Sequence, residues 1–200
     1  MTTATLSRPR AVQREEPEWL VWALIALMLV IGLIARSVTE SRTQQWSGGG
    51  GVSFNYPAEW VSFAPEGQLL QVGDPFSSPQ FPTSVSVQEV PVADVGRNLT
   101  ALGDVALAWS ARRGRDLVAY RALRTEPVTV GGQEAVRLEY AYVAESVLGN
   151  TNAAPVVARA QDVLVQRGDS LTVITFAADS SQWDEALGIW RTILASLRGI

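Results

Sequence analysis

Residues 154–178 read APVVARAQDVLVQRGDSLTVITFAA, and this stretch decides the fold. Two apolar runs rich in β-branched residues flank Arg167–Gly168–Asp169, and glycine beside aspartate at such a place is typical of a tight turn. The stretch therefore predicts two strands paired antiparallel in a hairpin. The letters RGDS at 167–170 also spell an integrin-recognition tetrapeptide, but the flanking strands favour a turn as the reason for these residues.

Two further extended segments precede this hairpin. Residues 116–130 lead through a Gly131–Gly132 turn into residues 134–144. In the second segment alternate residues are apolar and share one face, which predicts a half-buried strand. Residues 52–56 and 84–92 alternate in the same way and predict two earlier strands. The apolar positions on these strands are Val136, Leu138, Tyr140 and Tyr142, then Val52, Phe54 and Tyr56, then Val85 and Val87.

Two helices are predicted in this part of the chain. Within residues 96–115 one face carries apolar residues at helical spacing, with Asn98 as the expected N-cap and Gly114 as the expected stop. The second helix follows Ser180 or Ser181 as its cap. Their apolar faces are Leu99, Leu102, Val105, Ala106 and Trp109, and Trp183, Leu187, Trp190, Leu194 and Leu197. Hairpin linkages and the lack of βαβ alternation predict an α+β domain with a mainly antiparallel sheet packed against helices.

An uncharged run at Trp19–Ala35 predicts a single transmembrane helix before this domain. At 1.5 Å per residue it would span about 26 Å, close to the hydrocarbon thickness of a bilayer. A cleavable signal peptide is the alternative, but its apolar core is normally shorter and a small-residue cleavage site should follow. We therefore expect a tail at 1–18, a transmembrane helix at 19–35, a flexible polar and Gly-rich tether at 36–51, and a folded domain at 52–200.

The arginines around this run predict its orientation. Arg8, Arg10 and Arg14 precede it, whereas Arg36 and Arg42 follow it, which favours a cytoplasmic N-terminus. We expect a single-pass protein of a bacterial cytoplasmic membrane with its domain outside. Trp46 falls in the tether, where a solvent-exposed residue is the simplest expectation. Trp60, in contrast, is expected in the core of the domain.

The composition excludes several kinds of chemistry. The 200 residues contain no Cys, His or Lys, so all 16 cationic side chains are arginines. A thiol nucleophile, a thiolate metal site, a Ser–His–Asp triad and a Schiff base are therefore impossible. A net charge of −4 also argues against binding to nucleic acid. We expect a protein that is not an enzyme and has no catalytic, metal or cofactor residues.

Three segments carry a resemblance to a known family. VSFNYPAEW (residues 52–60), VTVGGQEAVRLEYAY (128–142) and WRTILASLR (190–198) resemble, in this order, the entry strand, the glycine turn with its following strand, and the closing helix of the PsbP-like proteins. The resemblance covers most of residues 50–198. It implies an antiparallel sheet between helices in a non-enzymatic extracytoplasmic protein. It does not imply photosystem binding, because the photosynthetic members use Lys and His contacts.

One cluster of residues is a candidate contact for a partner or for anionic lipid. It consists of Arg112, Arg113, Arg115, Arg121 and Arg124. Arginine pairs well with phosphate and carboxylate, although cations at a helix end also complement its dipole. The sequence thus predicts a membrane-anchored binding or accessory module with a protein partner, in a membrane protein complex. A small-ligand carrier, or an enzyme using carboxylate or tyrosine chemistry in a pocket between sheet and helix, is the alternative.

Overall fold

The structure is a computed structural model that describes residues 18–40, 42–48, 52–63, 65, 67–78, 80–144 and 154–199. The chain divides into two units, Met1–Arg42 and Thr43–Ile200. Of the predicted tail at 1–18, only Glu18 is among the described residues. Residues 49–51 of the predicted tether also lie outside them.

The first unit contains one helix, α1 (Glu18–Glu40). Trp19, Trp22 and the other large apolar side chains described on α1 are exposed. Among the described residues, no helix combines the length and the apolar character that crossing a membrane requires.

The second unit is an α+β domain, as predicted, and it contains two antiparallel sheets. The first pairs β1 (Thr43–Ser47) with β2 (Ser53–Pro57). The second has the strand order β3-β4-β5-β9-β8-β7-β6, and every neighbouring pair in it is antiparallel. Its strands are β3 (Val61–Ser62), β4 (Leu70–Gly73), β5 (Ser84–Pro91), β6 (Val118–Val130), β7 (Gln133–Ala144), β8 (Val156–Arg167) and β9 (Ser170–Asp179).

The predicted hairpin is confirmed as β8 and β9. The two strands pair from Ala158↔Asp179 to Arg167↔Ser170, and Gly168 has a φ of +55° in the turn between them. Glycine adopts this left-handed conformation without the steric penalty that a Cβ would bring. The turn thus explains why glycine stands in the RGDS sequence.

Helices pack on both faces of the larger sheet and define two apolar clusters. α4 (Trp183–Ser196) covers one face, where Trp190 stacks on Phe176 at a centroid distance of 5.0 Å. On the other face, α2 (Val92–Val95) and α3 (Leu102–Asp116) pack on β7, β8 and β9. Trp60 is 5% exposed and belongs to the α4 cluster, so its predicted place in the core is confirmed.

The start and end of α3 differ from the prediction. Its N-cap is Ala101, and Asn98 lies before it in a turn with a φ of +58°. Asparagine is one of the few non-glycine residues that readily adopt this conformation. An asparagine before a helix can therefore belong to a turn as well as to a cap. Gly114 lies inside α3, because the helix continues to Asp116.

The cap of the last helix also differs from the prediction. Ser180 and Ser181 lie in a short 3-10 turn, Ser180–Gln182, that precedes α4. Asp179 caps this turn, since its Oδ1 accepts a hydrogen bond from the Ser181 backbone N–H at 2.9 Å. A carboxylate serves this role as well as a serine hydroxyl does.

The predicted tether contains a strand. β1 lies within residues 36–51, and Trp46 on β1 packs against the α4 cluster with its ring 5.3 Å from that of Phe54. The domain therefore begins at Thr43 and not at Val52, and Trp46 is not a solvent-exposed linker residue. The polar sequence TQQWS gave no alternating pattern, because most of its side chains are exposed.

Candidate binding cleft

A fully buried carboxylate, Asp162 on β8, organises the face of the sheet that α3 covers. Its neighbours at alternate positions, Ala160 and Leu164, belong to the apolar cluster beneath α3. The same alternation directs Gln161 and Val163 to the opposite face, where Trp190 Nε1 donates to Gln161 Oε1 at 2.8 Å. The pleat of β8 thus carries the Asp162 charge into an apolar region, where it needs partners.

Four side chains supply these partners by donating hydrogen bonds to Asp162. Trp109 Nε1 donates to Oδ2 at 2.7 Å, and Arg113 Nε donates to the same oxygen at 3.0 Å. Thr175 Oγ1 donates to Oδ1 at 2.7 Å and the Tyr140 hydroxyl does so at 3.1 Å. Arg113 Nη2 also lies 3.3 Å from Oδ1. A carboxylate with this many donors is satisfied although it has no contact with water.

The positions of these donors follow from simple geometry. Trp109 and Arg113 are four residues apart on α3 and so share the helix face that packs on β8. Thr175 on β9 lies directly opposite Asp162 in the register. Tyr140 lies on β7, the other neighbour of β8, opposite Ala160. One helix and two strands therefore converge on a single carboxylate.

Arg113 is held in place by both its charge and its stacking. Its guanidinium carbon lies 4.9 Å from the centroid of the Trp109 ring and 5.8 Å from that of Tyr140. Burial disfavours the charged guanidinium and is the largest single influence on its pKa, but the opposing effects, led by the charge of Asp162, together hold the pKa of Arg113 above its ordinary value. The positive charge of Arg113 is thus permanent and balanced by Asp162.

The tyrosines beside this pair are neutral at physiological pH. Burial raises the pKa of Tyr140 well above its ordinary value, and the negative charge of Asp162 adds to this effect. Burial also raises the pKa of Tyr142 to about 12, although the charge of Arg113 opposes it. Both hydroxyls therefore act as hydrogen-bonding groups and not as bases.

Arg113 also lines a cleft of about 710 Å³ beside the buried pair. This volume is in the range of small-molecule sites. The cleft lies over the part of the sheet that α3 leaves uncovered. Its lining is Phe63, Pro65, Gln68, Gln71, Gly73, Phe81, Pro82, Ser84, Ser86, Gln88, Arg113, Leu117, Tyr140, Tyr142, Thr175 and Ala177.

The floor of the cleft is a row of polar residues that crosses the strands. Gln71 on β4 lies opposite Ser86 on β5, Ser86 lies opposite Thr175 on β9, and Thr175 lies opposite Asp162. The row thus runs from the cleft to the buried carboxylate. In the next row Gly73 lies opposite Ser84, and Ser84 opposite Ala177. These small residues leave room above the sheet, which gives the cleft its depth.

Several polar groups of the cleft have no partner within the described part of the chain. Arg113 Nη1 and the Tyr142 hydroxyl make no hydrogen bond to a described residue. The Gln68 Oε1 atom is buried and likewise lacks a partner among these residues. The side chains of Gln71, Ser86 and Gln88 also make no hydrogen bond to a described residue. Buried or half-buried polar groups of this kind are available to a ligand or to water.

The structure separates the five arginines of the predicted contact cluster. Arg113 is directed inward, and its side chain is 17% exposed. Arg112 forms an ion pair with Asp116 at 3.7 Å, and Arg124 forms one with Glu126 at 2.5 Å. Arg115 and Arg121 are exposed on α3 and β6. Contact of this cluster with a partner or with lipid stays a prediction.

The sequence contains a signal for the buried pair, although the prediction of the arginine cluster did not include it. Asp162 is a charged residue at an inward position of an otherwise apolar alternation, and such a residue needs a buried partner. The spacing of Trp109 and Arg113 offered such a partner on the adjacent helix.

The positions of the carboxylates also bear on metal binding. In the residues that the structure describes, no three carboxylates lie close enough together to bind an ion.

Comparison with known proteins places the domain in a fold class. No family model matches the sequence, and no curated protein matches it either. A solved structure of PsbP from the cyanobacterium Synechocystis is similar, with 18% identity and a TM-score of 0.53, over 79% of this chain and 92% of that one. The domain therefore has a PsbP-like fold, and the resemblance noted in the sequence is confirmed at the level of the fold.

Two other solved structures have the same fold. The Ran-binding protein Mog1p of Saccharomyces cerevisiae is 12% identical with a TM-score of 0.51, over 79% of this chain and 95% of that one. LpqN of Mycobacterium tuberculosis, described as involved in cell envelope biogenesis, is also 12% identical with a TM-score of 0.51, over 78% of this chain and 90% of that one. These proteins have different described roles, so the fold itself does not identify a function.

Proposed function

We propose that the protein is a non-catalytic binding module, anchored in a membrane and acting outside the cytoplasm as a component of a membrane protein complex. We further propose that the cleft is its binding site. The observation that carries this proposal is the set of polar groups without partners, Arg113 Nη1 among them, around a buried carboxylate that four side chains bond. A rigid pair with open donors beside it is suited to holding a ligand in one orientation.

The state of the ionisable groups supports binding over catalysis. A general base needs a carboxylate or phenolate that can take up a proton. Asp162 is engaged by its donors and by the Arg113 charge. The Tyr142 hydroxyl has a pKa of about 12 and remains protonated near neutral pH. With no Cys, His or Lys in the chain, the cleft is better suited to recognition than to proton transfer.

The membrane anchor is supported by the sequence of Trp19–Ala35. This run has no charged residue, and the large apolar side chains described on α1 are exposed. An exposed apolar helix surface of this kind requires a lipid or protein environment. The excess of arginines before the run supports a cytoplasmic N-terminus.

Co-purification of the full-length chain in a mild detergent tests the role of the cleft. Wild type would be compared with Ser86→Leu, which fills the cleft floor, and with Gln45→Leu on the exposed strand β1. We expect a bound component, protein or small molecule, that wild type and Gln45→Leu retain and Ser86→Leu loses. A component retained equally by all three, or none in any, would overturn the assignment of the cleft.

The volume of the cleft favours a second candidate function, that of a small-ligand carrier. A carrier releases its ligand without a stable protein partner, so its purified form should be stabilised by free ligand. Mass spectrometry of the material bound to wild type separates the candidates. A small molecule without a stoichiometric protein supports a carrier, whereas a stoichiometric protein supports the component of a complex.

A further inference from the structure

We propose that the occupant of the cleft is a neutral saccharide. Because we take the cleft as the binding site, this inference rests on the proposed function and makes it more specific. Three properties of the described lining residues support it: the absence of net charge, the two-dimensional spread of hydrogen-bonding side chains, and the partly exposed aromatic rings.

The charge of the cleft favours a neutral ligand. Arg113 is the one charged residue among the described residues that line it, and Asp162 balances that charge. An anionic ligand would bring a second negative charge close to Asp162 and would lose its hydration without a free cation to replace it. An uncharged hydroxyl or carbonyl oxygen can instead accept a hydrogen bond from Arg113 Nη1 without this penalty.

The polar floor suits a ring that carries hydroxyls around its edge. Ser84, Ser86 and Gln88 follow one another on one face of β5, about 7 Å apart, while Gln71 and Thr175 lie about 5 Å to either side on the neighbouring strands. Serine hydroxyls and glutamine amides can both donate and accept, as the hydroxyls of a sugar also do. The groups are therefore distributed over an area and not along a line.

The aromatic residues offer apolar surface next to this floor. Phe81 and Tyr142 stand nearly at right angles, with centroids 6.2 Å apart, and Phe63 is 51% exposed. The face of an aromatic ring is electron-rich and attracts the weakly positive C–H groups that cover the face of a pyranose. A sugar ring thus matches both the rings and the polar floor.

An extended peptide fits the cleft less well. A peptide presents its amides along a line, and it gains specificity from pockets that accept alternate side chains. Gly73, Ser84 and Ala177 form one row of small residues across three strands, so the space above them is continuous and is not divided by side chains into separate pockets. β5 is also paired on both sides from Ser84 to Val87, so this part of the sheet has no free edge to which a peptide could add.

Saturation-transfer NMR on the full-length chain tests the proposal directly. The protein would be held in a polyoxyethylene detergent, because maltoside or glucoside headgroups would compete for the cleft. The probes would be maltotriose, cellotriose, chitotriose, glucose 6-phosphate and a neutral proline-containing hexapeptide. We expect transfer to at least one neutral trisaccharide, with weaker transfer to the phosphorylated sugar and to the peptide.

Variants link the signal to the cleft. Ser86→Leu fills the floor and Gln88→Ala removes a polar group without adding volume, so each should weaken binding about tenfold. Gln45→Leu, on the exposed strand β1, should bind as wild type does. Equal melting temperatures would show that a variant is folded, and at least one of the two cleft variants should meet this condition.

The outcomes separate this inference from the proposed function. Binding of the peptide but of no saccharide would overturn the ligand class and keep the cleft as a site. The ligand class would also be wrong, and the cleft kept as a site, if no probe bound while Ser86→Leu still lost the co-purified component. If the saccharide binds equally to wild type and both cleft variants, the cleft is not its site. If no probe binds and co-purification is also insensitive to Ser86→Leu, both proposals are wrong.

Discussion

At the scale of single residues, the carboxylate of Asp162 connects β8 to α3, β7 and β9 through its hydrogen bonds. Asp162→Ala would leave the Arg113 charge unpaired in a site where its side chain is only 17% exposed. It would also remove the acceptor of Trp109, Tyr140 and Thr175. Breaking a buried pair in this way costs about 3–5 kcal/mol. We expect a loss of this size in the free energy of unfolding, measured by urea denaturation of the full-length chain.

A double variant provides the control for this prediction. Arg113→Met with Asp162→Leu replaces both charges by apolar side chains, so no charge is left buried without a partner. We expect it to be more stable than Asp162→Ala, although Trp109 and Tyr140 still lose their acceptor. If the double variant were the less stable of the two, the pair itself would be stabilising beyond the cost of an orphaned charge, contrary to our expectation.

Tyr142 gives a prediction for alkaline pH. Burial raises its pKa from 10.0 to about 12 in the folded protein, so folding favours the neutral phenol. This contribution to stability is fully present below pH 10 and is lost as the pH rises through about 12. Urea denaturation at a series of pH values in that window should show a steeper loss for wild type than for Tyr142→Phe. The pKa values of Tyr120 and Tyr140 are raised as well, so the variant should retain part of the slope.

At the scale of elements, alternation and turn chemistry predicted the strands from β5 to β9, except for their ends. For β5, β7, β8 and β9 they did so because each has at least one buried face with a regular apolar pattern, as in β7 with Leu138 and Tyr140. β6 is exposed over most of its length, and its prediction followed from the Gly131–Gly132 turn that joins it to β7. The start of α3 was not predictable in this way, because Asn98 suits a left-handed turn as well as a cap. β1 was missed since its side chains are mostly exposed, and backbone pairing with β2 orders it instead.

The assignment of β1 to the domain can be tested at Trp46. A linker residue could be replaced without effect, whereas the ring of Trp46 packs on Phe54 at 5.3 Å. Because Trp46 is only half-buried, we expect Trp46→Ala to lower the free energy of unfolding by about 1–3 kcal/mol. Trp60→Ala sets the upper reference at about 3–5 kcal/mol, since Trp60 is buried. Phe76→Ala, at an 84% exposed position, sets the lower reference near zero. A Trp46→Ala curve that coincides with Phe76→Ala would restore the linker interpretation.

At the scale of the whole molecule, the order of the strands creates the cleft. Gln71 and Ser86 are far from Asp162 and Thr175 in the sequence, and the two pairs meet because β5 and β9 are neighbours in the sheet. The sequence predicts which residues of a strand share a face, but the neighbour of that strand depends on tertiary packing. For this reason the arginines were predicted as one surface cluster, and the inward role of Arg113 became evident only with α3 packed on β8.

The proposed membrane topology can be tested with the cysteine-free chain, because a single introduced thiol has no background. Phe76→Cys places a thiol at an 84% exposed position of the domain, and Thr3→Cys places one before the apolar run. With a membrane-impermeant maleimide on intact cells, we expect labelling of Phe76→Cys at once and of Thr3→Cys only after lysis. The reverse pattern would overturn the cytoplasmic N-terminus.

The same variants separate a retained anchor from a cleaved signal peptide. A retained helix predicts that the thiol of Thr3→Cys stays on the full-length chain and that carbonate washing leaves the protein with the membrane. Leu27→Arg with Ile31→Arg should release it, since each arginine at the centre of a spanning helix costs about 2.5–3.5 kcal/mol of insertion energy. Threonine at both positions changes polarity without charge and should leave most of the protein in the membrane. A wild-type chain found free of the membrane and without residues 1–35 would instead support cleavage, and the domain would then act as a released binding protein.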